Sequence, residues 1–175
     1  MSAQPSATDY GRRTLVALME DKPGVLSRVT NLFRRRNYNI DSLTVGASET
    51  EGLSQMTVVV HGDEAVVEQV IKQLHKLINV TKVTEITDAD AVIRELALIK
   101  VHATSADRAE IKQLVDIFRA GIIDVSHESM TIEITGTENK VDSFLDMIRP
   151  FGLKALTRTG RVAMMRGATD SNGAS

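Results

Sequence analysis

The chain has 175 residues, of which 42% are hydrophobic and 25% charged, so its composition is that of a globular protein and not of a disordered or fibrous one. A net charge of -2 gives no general attraction to nucleic acids or membranes, and the lack of cysteine excludes disulfides, cysteine-ligated zinc and thiol nucleophiles. No apolar run reaches the roughly 20 residues of a membrane helix, and the first residues lack the apolar core of a signal peptide. These features predict a protein of a reducing cytoplasm.

In the first half of the chain, apolar spacing predicts the order strand, helix, strand, strand, helix, strand. The first strand ends at the break E-D-K-P-G, the turn A-S-E-T-E-G joins a hairpin, and Gly62 and Asp63 begin the second helix. The predicted elements are a strand at Leu15–Met19, a helix from Val25, strands at Tyr38–Val45 and Met56–Val60, a helix with the apolar stripe Val66, Val67, Val70, Ile71, Leu74, Leu77 and Ile78, and a strand at Val80–Ile86.

The second half of the chain repeats this order. Its predicted elements are a strand at Leu96–Val101, a helix through Ile111, Leu114, Val115 and Phe118, a hairpin of Ile122–Val125 and Met130–Ile134, a helix through Val141, Phe144, Leu145 and Ile148, and an extended stretch at Leu153–Met165. In ferredoxin-like folds this β-α-β-β-α-β order places two helices on one face of an antiparallel sheet. We therefore predict an α+β fold of two tandem ferredoxin-like modules. Because only 3% of the residues are aromatic, we expect aliphatic cores.

Small polar residues at both ends and an acidic segment in the middle predict the domain boundaries. We expect a flexible tail over residues 1–13, a first module over 14–88, a second module over 89–166 and another flexible tail over 167–175. The junction between the modules falls in the acidic segment T-D-A-D-A, residues 87–91.

The turn between the first strand and the first helix is the segment with site chemistry. Gly24 has no Cβ, so a ligand can approach the backbone, and the N–H groups of Gly24, Val25 and Leu26 suit a carboxylate. Asp21 suits a cation, so the whole turn suits a zwitterion. A structural interpretation stays open, in which Pro23 presets the first helical turn, Asp21 caps it and Gly24 relieves a tight bend. The equivalent turn of the second module has neither Pro nor Gly, so a ligand site belongs to the first module only.

Other polar residues give weaker signals. Asn39, which follows Tyr38, offers a donor and an acceptor to a small ligand, although Asn is also common in such turns. The run Arg34–Arg36 ends the first helix, either as a solvated helix end or as a docking patch for a protein partner. The four histidines have neither metal spacing nor an evident carboxylate partner, so we predict no metal site. They are His61, His75, His102 and His127.

Several segments together carry a resemblance to a known family. The run from Thr14 to Gly46, which contains T-L-V-A-L-M-E-D-K-P-G-V-L and Y-N-I-D-S-L-T-V, resembles the ACT domain of the small regulatory subunit of acetolactate synthase (acetohydroxyacid synthase). The likeness continues in S-Q-M-T-V-V-V, K-Q-L-H-K-L-I-N-V, R-E-L-A-L-I-K-V and F-R-A-G-I-I-D-V-S, over nearly the whole chain except its tails. The acidic-x-P-G motif marks ACT domains in general, whereas Y-N-I-D-S-L-T-V and I-I-D-V are far more specific.

The resemblance implies an effector site shared by two copies of the chain. In this family a branched-chain feedback inhibitor, usually valine, lies at the interface of two ACT domains, so we expect a homodimer. The implied effector-binding residues are Asp21, Pro23, Gly24, Val25 and Leu26 of one chain, with Asn39 and Ile40 of its neighbour. Two positions depart from the family, which often has Asn where this chain has Asp21 and Arg where it has Gln55.

The resemblance also implies a catalytic partner. The transferase reaction, which joins pyruvate to pyruvate or 2-oxobutyrate in branched-chain amino acid biosynthesis, belongs to a large subunit that carries thiamine diphosphate, Mg²⁺ and FAD. We therefore expect no cofactor, metal or catalytic residue in this chain. We expect it to activate the large subunit, to make it sensitive to valine and to act in the cytoplasm.

Other functions share the predicted topology. RNA-binding modules of this topology stack bases on aromatic residues of the central strands, where this chain has aliphatic residues and threonine. An independent enzyme would need a convergent nucleophile, base and orienting group, which the sequence lacks. A free-standing amino-acid sensor that controls another enzyme or a transcription factor stays open, because only co-purification with the large subunit separates it from a regulatory subunit.

Overall fold

The computed structural model describes residues 11–86 and 91–167. These form two compact units: the first holds the described residues up to Val92 together with those from Ala163 onward, and the second is Ile93–Val162. Each unit contains the β-α-β-β-α-β order, so the predicted α+β fold of two ferredoxin-like modules is confirmed. The predicted tails and the acidic junction fall largely on residues 1–10, 87–90 and 168–175, which lie outside the described residues.

The first unit is built on a four-stranded antiparallel sheet. Its elements are β1 (Arg12–Glu20), α1 (Val25–Arg36), β2 (Ile40–Ala47), β3 (Leu53–His61), α2 (Glu64–His75) and β4 (Val80–Ile86). The strand order is β2-β3-β1-β4, so β2 lies at an edge of the sheet. β1 begins two residues before the expected module boundary, because Arg12 still pairs with His61 in β3.

One face of this sheet and the apolar faces of both helices form the first core. Phe33 of α1 is 1% exposed, and its ring meets the edge of Tyr38 at a centroid distance of 6.0 Å. Asp63 caps α2 as expected, since its carboxylate accepts the Val66 N–H at 2.9 Å. Gly62 is required before this cap, because a Cβ there would lie 2.6 Å from Val66 Cγ1.

The predicted apolar stripe of α2 extends too far. The helix ends at His75, where the Lys76 N–H bonds to the Gln73 carbonyl at 3.2 Å in a tighter last turn. Leu77 still packs against the core, but Ile78 is 88% exposed. The prediction for Ile78 was wrong because apolar spacing does not show where a helix stops.

The second unit repeats the sheet order of the first. The elements of the second half are β5 (Ala91–His102), α3 (Arg108–Ile117), β6 (Gly121–Val125), β7 (Ser129–Gly136), α4 (Glu138–Ile148), a 3-10 turn at Arg149–Phe151, β8 (Leu153–Arg158) and β9 (Val162–Met165). The strands follow the order β6-β7-β5-β8, and β9 also pairs with β5. The extended stretch predicted at the end is two strands, because Gly160 with φ of 81° interrupts it.

Both cores are mainly aliphatic, as predicted, with one fully buried phenylalanine in each. In the second unit Phe144 is 0% exposed and packs edge-on against Phe118 at a centroid distance of 5.2 Å.

No helix in the two described ranges is long and apolar enough to cross a membrane.

Candidate functional site

The turn of residues 21–24, called the effector turn below, joins β1 to α1. Gly24 is the N-cap of α1 and has a φ of 84°, a left-handed conformation that favours glycine. A Cβ at Gly24 would meet no atom within 4 Å, so the backbone faces open space. The Asp21 N–H donates to the Gly52 carbonyl at 2.8 Å, which ties the effector turn to the β2–β3 hairpin.

The start of α1 presents unpaired backbone donors. Among the described residues, the N–H groups of Gly24, Leu26 and Ser27 have no acceptor. Val25 differs from the prediction, because its N–H donates to the Lys22 carbonyl at 3.3 Å and its side chain is 4% exposed in the core. Leu26 is 41% exposed. The start of α1 therefore combines three N–H groups without an acceptor with the positive end of the helix dipole, a combination that suits an anion.

Asp21 adds an available negative charge beside these donors. It is exposed, and within the part of the chain that the structure describes its carboxylate has no hydrogen bond or ion pair. The structural interpretation of this turn is therefore wrong for Asp21, which does not cap the helix. It is also wrong for Pro23, since α1 begins only at Val25. It is right for Gly24, which occupies the tight bend.

A hydrogen-bonded cluster joins the two flanks of the effector turn. Asn79 lies between α2 and β4. Its backbone carbonyl accepts the Glu20 N–H at 2.9 Å, and its side-chain Nδ2 donates to the Glu20 carboxylate. Asn79 Oδ1 accepts from Arg28 Nη1 at 2.6 Å, and Lys22 Nζ lies 3.2 Å from Glu20 Oε2. The sequence prediction missed Asn79 because it lies 59 residues from Glu20 and 51 from Arg28, and no local pattern signals such a pairing.

The cluster predicts a pH-dependent contribution of Glu20 to stability. The Asn79 hydrogen bond and the Lys22 contact lower the pKa of Glu20 below its ordinary value of 4.5. A carboxylate with a lowered folded-state pKa stabilises the fold above its unfolded-state pKa, and this contribution is lost as pH falls through the folded-state pKa. By circular dichroism, the wild type should melt at a higher temperature than Glu20→Gln at pH 7, and the difference should shrink below about pH 4.5. A difference independent of pH would contradict this assignment.

The second half of the expected site lies at the opposite end of the sheet. Ile40 begins β2 opposite Val60, near the start of β1, whereas Glu20 ends β1 opposite Leu53. At about 3.3 Å per residue, these two ends of one sheet are about 23 Å apart. A single chain therefore does not bring Asn39 and Ile40 to the effector turn.

Asn39 is exposed before β2 and is held by its own chain. Its Nδ2 donates to Asp41 Oδ1 at 2.9 Å, and Asp41 Oδ2 accepts from Arg12 Nε at 3.0 Å. Ile40 is half-buried and packs against the first core. The hydrogen bonds that Asn39 and Arg12 donate to Asp41 fix Asn39 at a defined place on the sheet edge.

The equivalent turn of the second unit is closed by its own side chains. The Asp107 carboxylate accepts from the N–H and the hydroxyl of Thr104 at 3.0 and 2.6 Å, and these bonds lower the pKa of Asp107. Arg108 Nη2 donates to the carbonyls of Ser126 and His127 at 2.6 and 2.9 Å. This turn thus lacks the unpaired carboxylate of the effector turn, and it has no glycine.

The remaining candidates from the sequence are a metal site, Gln55 and the run Arg34–Arg36. Within residues 11–86 and 91–167, no group of three or more His, Cys, Asp or Glu residues is arranged to hold a metal ion. Gln55 Nε2 donates to the Ala163 carbonyl at 3.4 Å within the first unit. Arg34–Arg36 is exposed at the end of α1, and Arg36 Nη2 donates to Gln73 Oε1 at 3.2 Å.

Comparison with known proteins defines the class of both halves. Residues 15–82 match the family model of the AHAS small subunit-like ACT domain, and residues 94–167 match that of the small subunit of acetolactate synthase. The first unit is therefore an ACT domain, a module of the regulatory type.

The relatives identify the family. The chain is 58% identical over 156 residues to a probable acetolactate synthase small subunit of Archaeoglobus fulgidus, covering 89% of this chain and 98% of that protein. It is 45% identical over 157 residues to the acetolactate synthase small subunit of Bacillus subtilis, covering 89% and 91%. The crystal structure of the Thermotoga maritima acetolactate synthase small subunit has a TM-score of 0.85 at 47% identity, covering 89% and 98%. The chain belongs to the acetolactate synthase small subunit family, and the resemblance seen in the sequence is confirmed.

Proposed function

We propose that this chain is the regulatory subunit of a cytoplasmic acetolactate synthase in branched-chain amino acid biosynthesis. It binds a large catalytic subunit, raises its activity and makes it sensitive to valine. Thiamine diphosphate, Mg²⁺ and FAD act in the large subunit, so this chain holds no cofactor and contributes no catalytic residue. Membership of the small subunit family supports this assignment.

The effector turn is the observation on which the valine site rests. The carboxylate of valine binds the free N–H groups of Gly24, Leu26 and Ser27, where the dipole of α1 favours an anion. Its ammonium group pairs with the exposed carboxylate of Asp21. The exposed side chain of Leu26 offers apolar surface to the branched side chain. One zwitterion thus satisfies both charges of the turn.

A second copy of the chain completes the site. β2 is an edge strand, and a partner strand satisfies the free backbone groups of such an edge. Antiparallel pairing of β2 with its counterpart across a two-fold axis brings the start of one β2 to the end of the other, on the side where the effector turn lies. Asn39 and Ile40 of one chain then reach the effector turn of its neighbour.

Inhibition follows from binding between two subunits. An effector shifts an equilibrium only if it binds one arrangement more tightly than the other. A valine that contacts the ACT domains of two copies of the chain makes all its contacts only when these two domains are paired in one geometry. Valine thereby favours the arrangement in which the large subunit is less active.

Reconstitution tests this function directly. Acetolactate formation by a large subunit is measured with and without this chain while valine, leucine and isoleucine are titrated. We expect the chain to raise the activity, and valine to lower it only when the chain is present. If the chain neither binds nor activates the large subunit, the free-standing amino-acid sensor becomes the better assignment. The order of the three inhibition curves identifies the preferred effector.

A further inference from the structure

Asn79 lies outside the effector turn but contacts both of its flanks. Its side chain joins the carboxylate of Glu20, the residue before the turn, to the guanidinium of Arg28 in the first turn of α1. From this geometry we infer that Asn79 is a positioning residue that holds the effector turn in its binding conformation. The inference rests on the proposed binding of valine at this turn.

The primary amide of Asn79 suits these two partners because it carries a donor and an acceptor on one rigid plane. Nδ2 donates to an anion and Oδ1 accepts from a cation, so both hydrogen bonds are charge-assisted. The Glu20 side chain is only 33% exposed, which limits its screening by solvent. An aspartate at this position would keep the bond from Arg28 but would repel Glu20.

The bridge that the Asn79 side chain forms between Glu20 and Arg28 orders the effector turn before valine binds. Glu20 belongs to β1 and Arg28 to α1, so the bridge fixes the end of the strand relative to the start of the helix. The free N–H groups of Leu26 and Ser27 and the carboxylate of Asp21 lie between these fixed points. Without the bridge, valine must order the turn as it binds, and this ordering weakens its affinity.

Calorimetric titration of valine into the full-length chain at 25 °C tests the inference. Asn79→Asp should weaken binding about tenfold, because a charge-assisted hydrogen bond is replaced by repulsion. The double variant Glu20→Gln with Asn79→Asp should recover most of the affinity, since the introduced glutamine amide can donate to the introduced aspartate while Arg28 keeps its acceptor. The same chemical change at an exposed position of the second unit, Asn139→Asp, is the matched control and should leave affinity unchanged.

The outcomes separate the inference from the proposed function. If the wild type binds none of the three branched-chain amino acids, the proposed function fails, and the inference fails with it. If the wild type binds valine and Asn79→Asp binds it equally well, with or without a lower melting temperature, only the positioning role is overturned. A double variant that is folded but no tighter than Asn79→Asp also overturns it. Should Asn79→Asp not fold, Asn79→Ala replaces it, with an expected loss of about fivefold.

Discussion

Gly24→Asp should abolish measurable valine binding while leaving the chain folded. The new carboxylate would lie at the start of α1, beside the N–H groups assigned to the carboxylate of valine. Two unit charges of the same sign about 4 Å apart repel by about 1 kcal/mol in water and about 4 kcal/mol near a protein surface. The repulsion near a protein surface corresponds to a loss of affinity of about a thousandfold, so calorimetry should detect no binding and inhibition of the reconstituted enzyme by valine should be lost.

Gly24→Asn is the control that separates charge from shape. Asparagine matches aspartate in size and also tolerates the left-handed φ of 84° at this position. A Cβ at Gly24 meets no atom within 4 Å, so both side chains start in open space. We expect Gly24→Asn to bind valine more tightly than Gly24→Asp does. Equal affinities of the two variants would contradict the placement of an anion here, and wild-type affinity in Gly24→Asp would remove the site from this turn.

Arg158→Met should destabilise the chain by about 3–5 kcal/mol, because it leaves a buried carboxylate without its partner. Glu95 on β5 is 4% exposed and accepts Arg158 Nε at 3.2 Å, while Arg158 Nη1 donates to Asp142 on α4 at 2.6 Å. Burial by itself lowers the pKa of Arg158, but these hydrogen bonds outweigh it and raise the pKa overall. Arg158 therefore keeps its positive charge at neutral pH.

An exposed ion pair of the same unit provides the comparison. Lys112 and Asp116 on α3 are 2.7 Å apart, but their side chains are 64% and 63% exposed. Lys112→Met should cost about 0.5 kcal/mol or less in urea unfolding. Replacing both partners of the buried pair, Glu95→Gln with Arg158→Met, should recover most of the loss. If Arg158→Met costs no more than Lys112→Met, the buried pair does not have the stabilising role assigned to it.

Local sequence patterns anticipated much of the fold. The spacing of apolar residues in α1 and α2 reproduces the faces that pack on the sheet, and Asp63 marks the start of α2. Local patterns failed where an element stops. Ile78 continues the apolar spacing of α2 but lies beyond its last turn, and Gly160 divides a continuous extended stretch into two strands.

The candidate site was only partly visible in the sequence. Gly24 and Asp21 stand in a short motif whose chemistry can be read from the residues themselves. The hydrogen bond from the Val25 N–H to the Lys22 carbonyl depends on the path of the turn. The hydrogen bonds from Asn79 to Glu20 and from Arg28 to Asn79 join residues more than 50 positions apart. Such contacts have no periodic or local signal in a single sequence.

What the sequence by itself determined is therefore the family, the two-module fold and the position in the first module of the turn to which we assign valine binding. These follow from hydrophobic periodicity, from turn residues and from motifs, all of which act over a few neighbouring residues. The tertiary structure decided which backbone donors are free, what holds the turn, and that Asn39 lies at the opposite end of the sheet, about 23 Å away along the strands. The physical reason is that strand register and helix packing decide which distant residues come into contact. Both depend on the whole sheet and not on a few neighbouring residues.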